Sequence, residues 1–250
     1  MRSVEDATVE ALYVVVDPDR PIAASEEIQF QRPREAREGT ARERADAVHA
    51  AFLAWSAGAR DDTPLVQWRS VTGAEEASVT RETADADLPV VVHNHNMDAG
   101  DALHAAVWQT HKPVLLAPMD WRPKSATFSH VAVALNDHQV ATDAISGAMP
   151  LLHTADQVTA LRIGHAADST MRLCDALQAA GIEHSQRVVE PAAENKGVQI
   201  AEETQVIGAD LLVARAYRHG PLVEWLMGGT TRHMLAAARV PLLLEHGDHR

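Results

Sequence analysis

Short apolar runs alternate with amphipathic stretches along most of the chain, most cleanly in its second half. Residues 131–135 (Val-Ala-Val-Ala-Leu) form a strand run, and Val140, Ala144, Ile145, Ala148, Leu151 and Leu152 keep helical spacing after it. Residues 158–163 then read as a strand, 169–180 as a helix ended by Gly181, 186–189 as a short strand, and 194–207 as a helix ended by Gly208. A strand over 211–214, a helix after Gly229 and a strand over 242–245 complete the half. Strands that alternate with helices in this way predict an α/β fold with a parallel, doubly wound sheet.

The first half repeats this order from its second strand onward. Residues 11–16 read as a strand, and Ala41, Ala45, Val48, Phe52 and Trp55 mark an amphipathic helix. A strand over 65–71, a helix near 75–84, a strand over 90–92, a helix over 101–110 and a strand over 114–117 follow. Placing Gly100 on Gly228 brings Pro113 onto Pro241 and Leu115-Leu116 onto Leu243-Leu244 without a gap, which points to an internal duplication. Residues 1–10 leave no room for an opening strand and helix, so the first copy is expected to be one strand short. Residues 121–125 are polar and contain Pro123, which puts a linker there and divides the chain into 1–124 and 125–250.

Composition narrows the function classes. Of 250 residues, 46% are hydrophobic, enough for a packed core. The formal charge of -13 makes the chain as a whole repel nucleic acid and anionic lipid surfaces. Cys174, the single cysteine, lies at apolar helical spacing with Met171 and Leu177 and reads as a buried, inert thiol. The apolar run at 11–16 is too short for a signal segment or a membrane span, so a cytoplasmic protein is expected.

The most informative stretch runs from Gly208 to His246: a buried strand, a loop, the Gly228-Gly229 pair opening a helix, and a second buried strand. A right-handed crossover of this kind places the loop and the helix N-terminus at the carboxyl edge of the sheet, where open α/β sheets bind ligands. With the runs at 131–136, 148–152, Val158-Thr159, 208–213, Ala216-Tyr217, Arg218-His219, Glu224-Trp225 and 228–233, the chain resembles the universal stress protein family in its tandem form. The resemblance covers residues 128–246 well and 10–118 through element order and the 112–118 ending. It implies two tandem Rossmann-like domains, the second complete and the first degenerate. It also implies dimerisation through the last strand and, in many members, ATP bound by a Gly-x2-Gly-x9-Gly-[Ser/Thr] loop.

Measured against that loop, Arg215 and Arg218 occupy the two early glycine positions, Gly228 keeps the third, and Gly229 stands where Ser or Thr is usual, followed by Thr230 and Thr231. Asn136 matches the aspartate that ends the first strand near the adenine. Two readings follow. The guanidinium groups fill the phosphate volume and close or weaken the site, or they clamp a phosphate in place of lost backbone contacts. Closure leads, because a cationic side chain does not restore the close backbone approach that glycine allows. The candidate nucleotide site is Leu135, Asn136, Ile163, Ala214, Arg215, Arg218, Gly228, Gly229, Thr230 and Thr231, with ATP and Mg²⁺ as the cofactor that the resemblance offers.

In the first half the matching loop, 93–100, is shorter, and Asp101 at the helix start repels phosphate, so no nucleotide is expected there. That half is expected to cover the other copy's edge by pairing 114–117 with 242–245 across a pseudo-twofold axis. His93 and His95 stand at a spacing that suits a shared metal, but surface loop histidines are the more ordinary reading in a chain with 14 of them. His219 is assigned to a loop cap or to solvent, His246 and His249 to a charged tail, and Trp225 to packing. No nucleophile elbow, Walker loop or His-Glu-x-x-His stands in the sequence, so no catalytic residue and no metal site is assigned.

The resulting expectation is a stress-response binding or interaction protein with weak or absent ATP binding. The alternatives are an adenine-nucleotide switch with slow hydrolysis and an enzyme of the related nucleotide-binding α/β group. An intramolecular pseudo-dimer and a homodimer both fit, and no nucleic-acid or membrane partner is expected.

Overall fold

The computed structural model describes residues 8–17, 19, 33–58, 65–93, 101–134, 145–164, 167–192, 195–216 and 230–246. The chain divides into two compact units, Met1–Asp85 and Ala86–Arg250.

The first unit contains β1 (Val9–Val15), α1 (Ala41–Ala57), β2 (Val66–Thr72) and α2 (Glu75–Glu82). β1 and β2 pair in parallel from Val9↔Val66 to Val15↔Thr72 as a two-stranded sheet. A capping box starts α1: the Thr40 hydroxyl accepts from Glu43 N–H and the Glu43 carboxylate accepts from Thr40 N–H, satisfying two otherwise orphaned donors. Arg69 on β2 ties the layers together, donating to Glu82 at 2.6 Å and standing 3.5 Å from Glu10. Trp68 collects the aromatic contacts, with ring centroids 5.1 Å from His49, 5.2 Å from Phe52 and 6.0 Å from Tyr13. The amphipathic stripe of α1 is only half covered, since Val48 is 39% and Trp55 53% exposed. Among the described residues of this unit the buried apolar side chains are Val16, Ala41 and Val79. Parallel strands ordinarily need cover on both faces.

The second unit carries β3 (Val90–His93), α3 (Asp101–His104), β4 (Val114–Pro118), β5 (His130–Ala134), α4 (Met149–Leu152), β6 (Gln157–Ile163), α5 (Ala167–Ala179), β7 (Ser185–Val189), α6 (Lys196–Val206), β8 (Leu211–Ala216), α7 (Thr230–Ala237) and β9 (Leu242–His246). The expected helix over 101–110 changes after His104 into a π turn at Ala105–Gln109. The strands form one sheet in the order β3-β4-β9-β8-β5-β6-β7. The sheet therefore runs across residue 124 and holds β3 and β4 together with the second half, while β1 and β2 pair in a separate sheet.

All neighbours in the seven-stranded sheet are parallel except β4 and β9, which run antiparallel with Val114↔Leu244, Leu115↔Leu243 and Leu116↔Leu242. This is the expected pairing, and its register is symmetric. Leu115 and Leu243, superposed when Gly100 is set on Gly228, lie opposite each other, so each remaining pair maps onto the other. A two-fold axis through that pair produces this pattern.

The core of this unit joins Val131 and Val133 of β5, Leu211 and Val213 of β8, Leu243 of β9 and Leu173 and Leu177 of α5. Cys174 is buried among them, and burial, reinforced by the Asp175 carboxylate, raises its thiol pKa, which suppresses the reactive thiolate. Gly181 and Gly208 take φ of +73° and +72°, the left-handed conformation that ends α5 and α6 as the sequence predicts. Past Gly208, the Ala209 N–H returns to the Thr204 carbonyl at 3.1 Å, which turns the chain into β8.

A candidate ligand crevice at the carboxyl edge

In strand order, β6 and β7 follow β5 to one side and β8 and β9 lie on the other. The connections from β5 and from β8 therefore leave in opposite directions, which opens a crevice beyond the carboxyl ends of those strands. Ala134 ends β5 between Leu161 of β6 and Ala214 of β8. Ala134, Ile163 and Ala214 are all buried, so the floor of the crevice is apolar.

The structure thus brings two of the sequence-derived site residues, Ile163 and Ala214, to neighbouring strand ends flanking β5. Arg215 continues β8, paired with Glu245 of β9, and Thr230 and Thr231 open α7. Leu135, Asn136, Arg218, Gly228 and Gly229 lie outside the described residues, as do His95, His219, Trp225 and His249.

Four further residues shape this edge and were not singled out from the sequence. Arg162 on β6 is 7% exposed, and its Nε donates to the Gly164 carbonyl at 3.0 Å, folding a cation back against the strand end. Gly164 takes φ +104° where its N–H meets the Val189 carbonyl at 2.9 Å, a conformation that favours glycine. A lone arginine in the apolar run 158–163 was the signal available for Arg162. Gln199 fixes the connection into α6 by donating to Glu190 O at 2.7 Å and accepting from Ala192 N–H at 3.1 Å. Asn195 caps α6 through the Gly197 N–H at 2.9 Å, and its amide stands 2.8 Å from His233 Nδ1 in the first turn of α7. The N-termini of α6 and α7 are thereby linked at the edge where the crevice opens. Helix N-termini favour anions.

The histidines need two corrections. His93 is not a surface residue: it ends β3 opposite Pro118, is 6% exposed, and accepts the Met119 N–H on its carbonyl at 2.8 Å. His246 is the last residue of β9, paired with Ala216, rather than part of a tail. Among the described residues no group of three or more His, Cys, Asp or Glu side chains is placed to hold a metal. Among the same residues no helix is long and apolar enough to cross a membrane.

At the opposite edge, Asp210 precedes β8 and its carboxylate accepts the Ser129 N–H at 2.9 Å and the His130 N–H at 3.0 Å, anchoring the start of β5. His130 Nε2 lies 2.8 Å from Thr159 Oγ1, which lies 3.0 Å from Ser185 Oγ, a polar row across three strands. Burial lowers the His130 pKa, and the Asp210 charge partly opposes the shift.

No protein-family model matches the sequence, and no curated protein sequence does. Solved structures do. A universal stress protein from Archaeoglobus fulgidus DSM 4304 superposes with a TM-score of 0.65 at 14% identity, covering 96% of this chain and 86% of that one. A protein from Pseudomonas aeruginosa UCBPP-PA14, assigned to the same group, gives 0.53 at 14% identity over 96% of this chain and 93% of that one. The fold is that of universal stress proteins.

Proposed function

We propose that the chain is a tandem universal stress protein of the cytoplasm that acts in stress response as a binding and interaction module. Residues 125–250 form its complete domain and residues 1–124 a degenerate copy. The observation that carries this reading is the self-symmetric register of β4 on β9 about Leu115 and Leu243, the arrangement that a fused pair of similar domains produces. Arg215 and Arg218 in place of glycines leave ATP binding at the second domain weak or absent, and function runs through protein association. Isothermal titration with ATP and Mg²⁺, after checking the purified protein for bound nucleotide, tests this. No heat of binding up to millimolar ATP is the expected result.

A second reading rests on the intact edge: α7 starts at Thr230 directly after the Gly228-Gly229 pair, its first turn is linked to the α6 cap, and Ile163 and Ala214 floor the crevice. On this reading the site holds one adenine nucleotide per chain, with the arginines on the phosphates and slow hydrolysis at most. Saturable binding that disappears in Gly228→Asp and weakens in Arg218→Ala supports it. Nucleotide turnover abolished by Arg218→Ala would favour an enzyme instead.

A further inference from the structure

A row of three polar side chains crosses β5, β6 and β7 near their amino ends. Thr159 pairs with Ala132 on one side and Ser185 on the other, and His130 lies two residues before Ala132, so period-two alternation puts all three on one face of the sheet. His130 Nε2 stands 2.8 Å from Thr159 Oγ1, which stands 3.0 Å from Ser185 Oγ. Thr159 is 3% exposed, and its hydroxyl bonds to those two groups.

A hydroxyl carries a single hydrogen. The buried Thr159 hydroxyl gives it either to His130 or to Ser185, so the row has two directions, and His130 selects between them. The Ile207 carbonyl, at the end of α6, is the backbone hydrogen-bond partner of the ring. A carbonyl only accepts, and Nε2 is taken by Thr159, so Nδ1 carries the hydrogen of the neutral ring. Nε2 is then an acceptor: Thr159 donates to it, and Ser185 donates to Thr159. A proton gained at Nε2 makes that nitrogen a donor. Thr159 must then accept from His130 and donate to Ser185, whose own hydrogen leaves the row toward the Val158 carbonyl at 3.5 Å.

We infer that His130, Thr159 and Ser185 form a proton-operated relay, in which charging the imidazole on β5 reverses the hydroxyl row and with it the hydrogen-bonding sense of Ser185 on β7. The groups around the ring allow both states. Burial opposes the charged form, whereas the Asp210 carboxylate before β8 and the Ile207 carbonyl favour it. On α6, Glu203 stands one turn before Ile207 and is held by Arg187 of β7 at 2.7 Å, a pair that cancels its own charge. β6 and β7 face the ring through the hydroxyls of the row itself. Acidification is therefore passed from β5 to β7, two strands away. The relay lies at the amino ends of the strands and is independent of whether nucleotide binds in the crevice beyond their carboxyl ends.

The test is a pH titration of the full chain carrying isotope-labelled histidine, read by NMR of the imidazole nitrogens, with the His130 signals identified by their loss in His130→Gln. The neutral ring should hold its hydrogen on Nδ1. Thr159→Val keeps the side-chain shape and removes the acceptor of the imidazolium, so proton binding at His130 should weaken at least about threefold. Ser185→Val does not touch the ring, yet it leaves the Thr159 hydrogen without an acceptor in the charged state and should also weaken proton binding about threefold. Gln186→Val, at the next residue of β7 and on its other face, should titrate as the parent does. Ser185 is exposed, so its variant remains decisive if Thr159→Val fails to fold. A hydrogen on Nε2 of the neutral ring overturns the inference. So does a His130 that stays neutral until the chain unfolds, or parent-like titration in Ser185→Val.

Discussion

The same five-residue pattern, Ala-Asp-Leu-x-Val, has two fates in this molecule. At 209–213 it enters a strand flanked by β5 and β9, the aspartate anchors a neighbour and the valine is 0% exposed. At 86–90 it enters a strand that ends the sheet among the described residues, where the aspartate has no partner among those residues and the valine is 58% exposed. Local sequence specifies strand and register in both places, but burial depends on whether a neighbouring strand is present. A parallel strand becomes a core element only when enclosed.

The largest expected effect strikes the axis that joins the two copies. Leu243→Ala should lower unfolding stability by about 2–5 kcal/mol, while Leu115→Ala, at the matched but only partly buried position, should cost less. Urea denaturation midpoints of the two variants compare the sides of the axis directly. Equal losses would mean that both copies are packed alike there.

The aspartates give the next contrast. Asp210→Ala removes the acceptor of two backbone N–H groups and should cost about 1.5–3 kcal/mol. Asp87→Ala, at an exposed position, should stay within about 0.5 kcal/mol. A comparable loss at Asp87 in the same urea series would mean that the first copy already uses its anchor.

The turns leading into β8 and β3 differ as well. Gly208 holds φ +72° with open space around it, so Gly208→Ala should cost about 1 kcal/mol through backbone conformation alone. α2, the helix before β3, ends at Thr83 with φ -94°, and Thr83→Ala should not show this penalty on a thermal melt.

The smallest effect is a pH dependence at the anchored edge. Because burial holds the folded His130 pKa below its ordinary 6.5, the unfolded chain binds the proton more readily. The contribution of His130 to stability is full above pH 6.5 and is lost as pH falls through the lowered folded value. Asp210→Ala, which removes the opposing attraction, should lower that pKa further, read by NMR titration of the imidazole. A rise would show that the carboxylate is not the charge that His130 senses.

Much of this is legible in the sequence. The strand runs, the glycines that end α5 and α6, the buried Cys174 and the pairing of 114–117 with 242–245 follow from periodicity, cap chemistry and the internal repeat. Of the candidate site, Ile163 and Ala214 stand where the strand ends converge, because their place in a crossover follows from element order. Arg162, Gln199 and the Asn195–His233 link were not legible, since each joins groups whose proximity depends on how helices and loops fold back over strand ends. The burial of His93 was missed for a related reason: its period-two position assigns it a face, but not the cover on that face.

By itself, the sequence determined which segments are strands and helices, where they stop, and that the last strands of its two halves are alike, because side-chain period and backbone stereochemistry act over a few residues. Only the tertiary structure decided that β1 and β2 stand in a separate sheet, that α1 keeps half its apolar stripe exposed, and that Asp210 is engaged while Asp87 has no partner among the described residues. Enclosure depends on neighbours brought together from far along the chain, and a strand's own residues do not record whether such a neighbour is there.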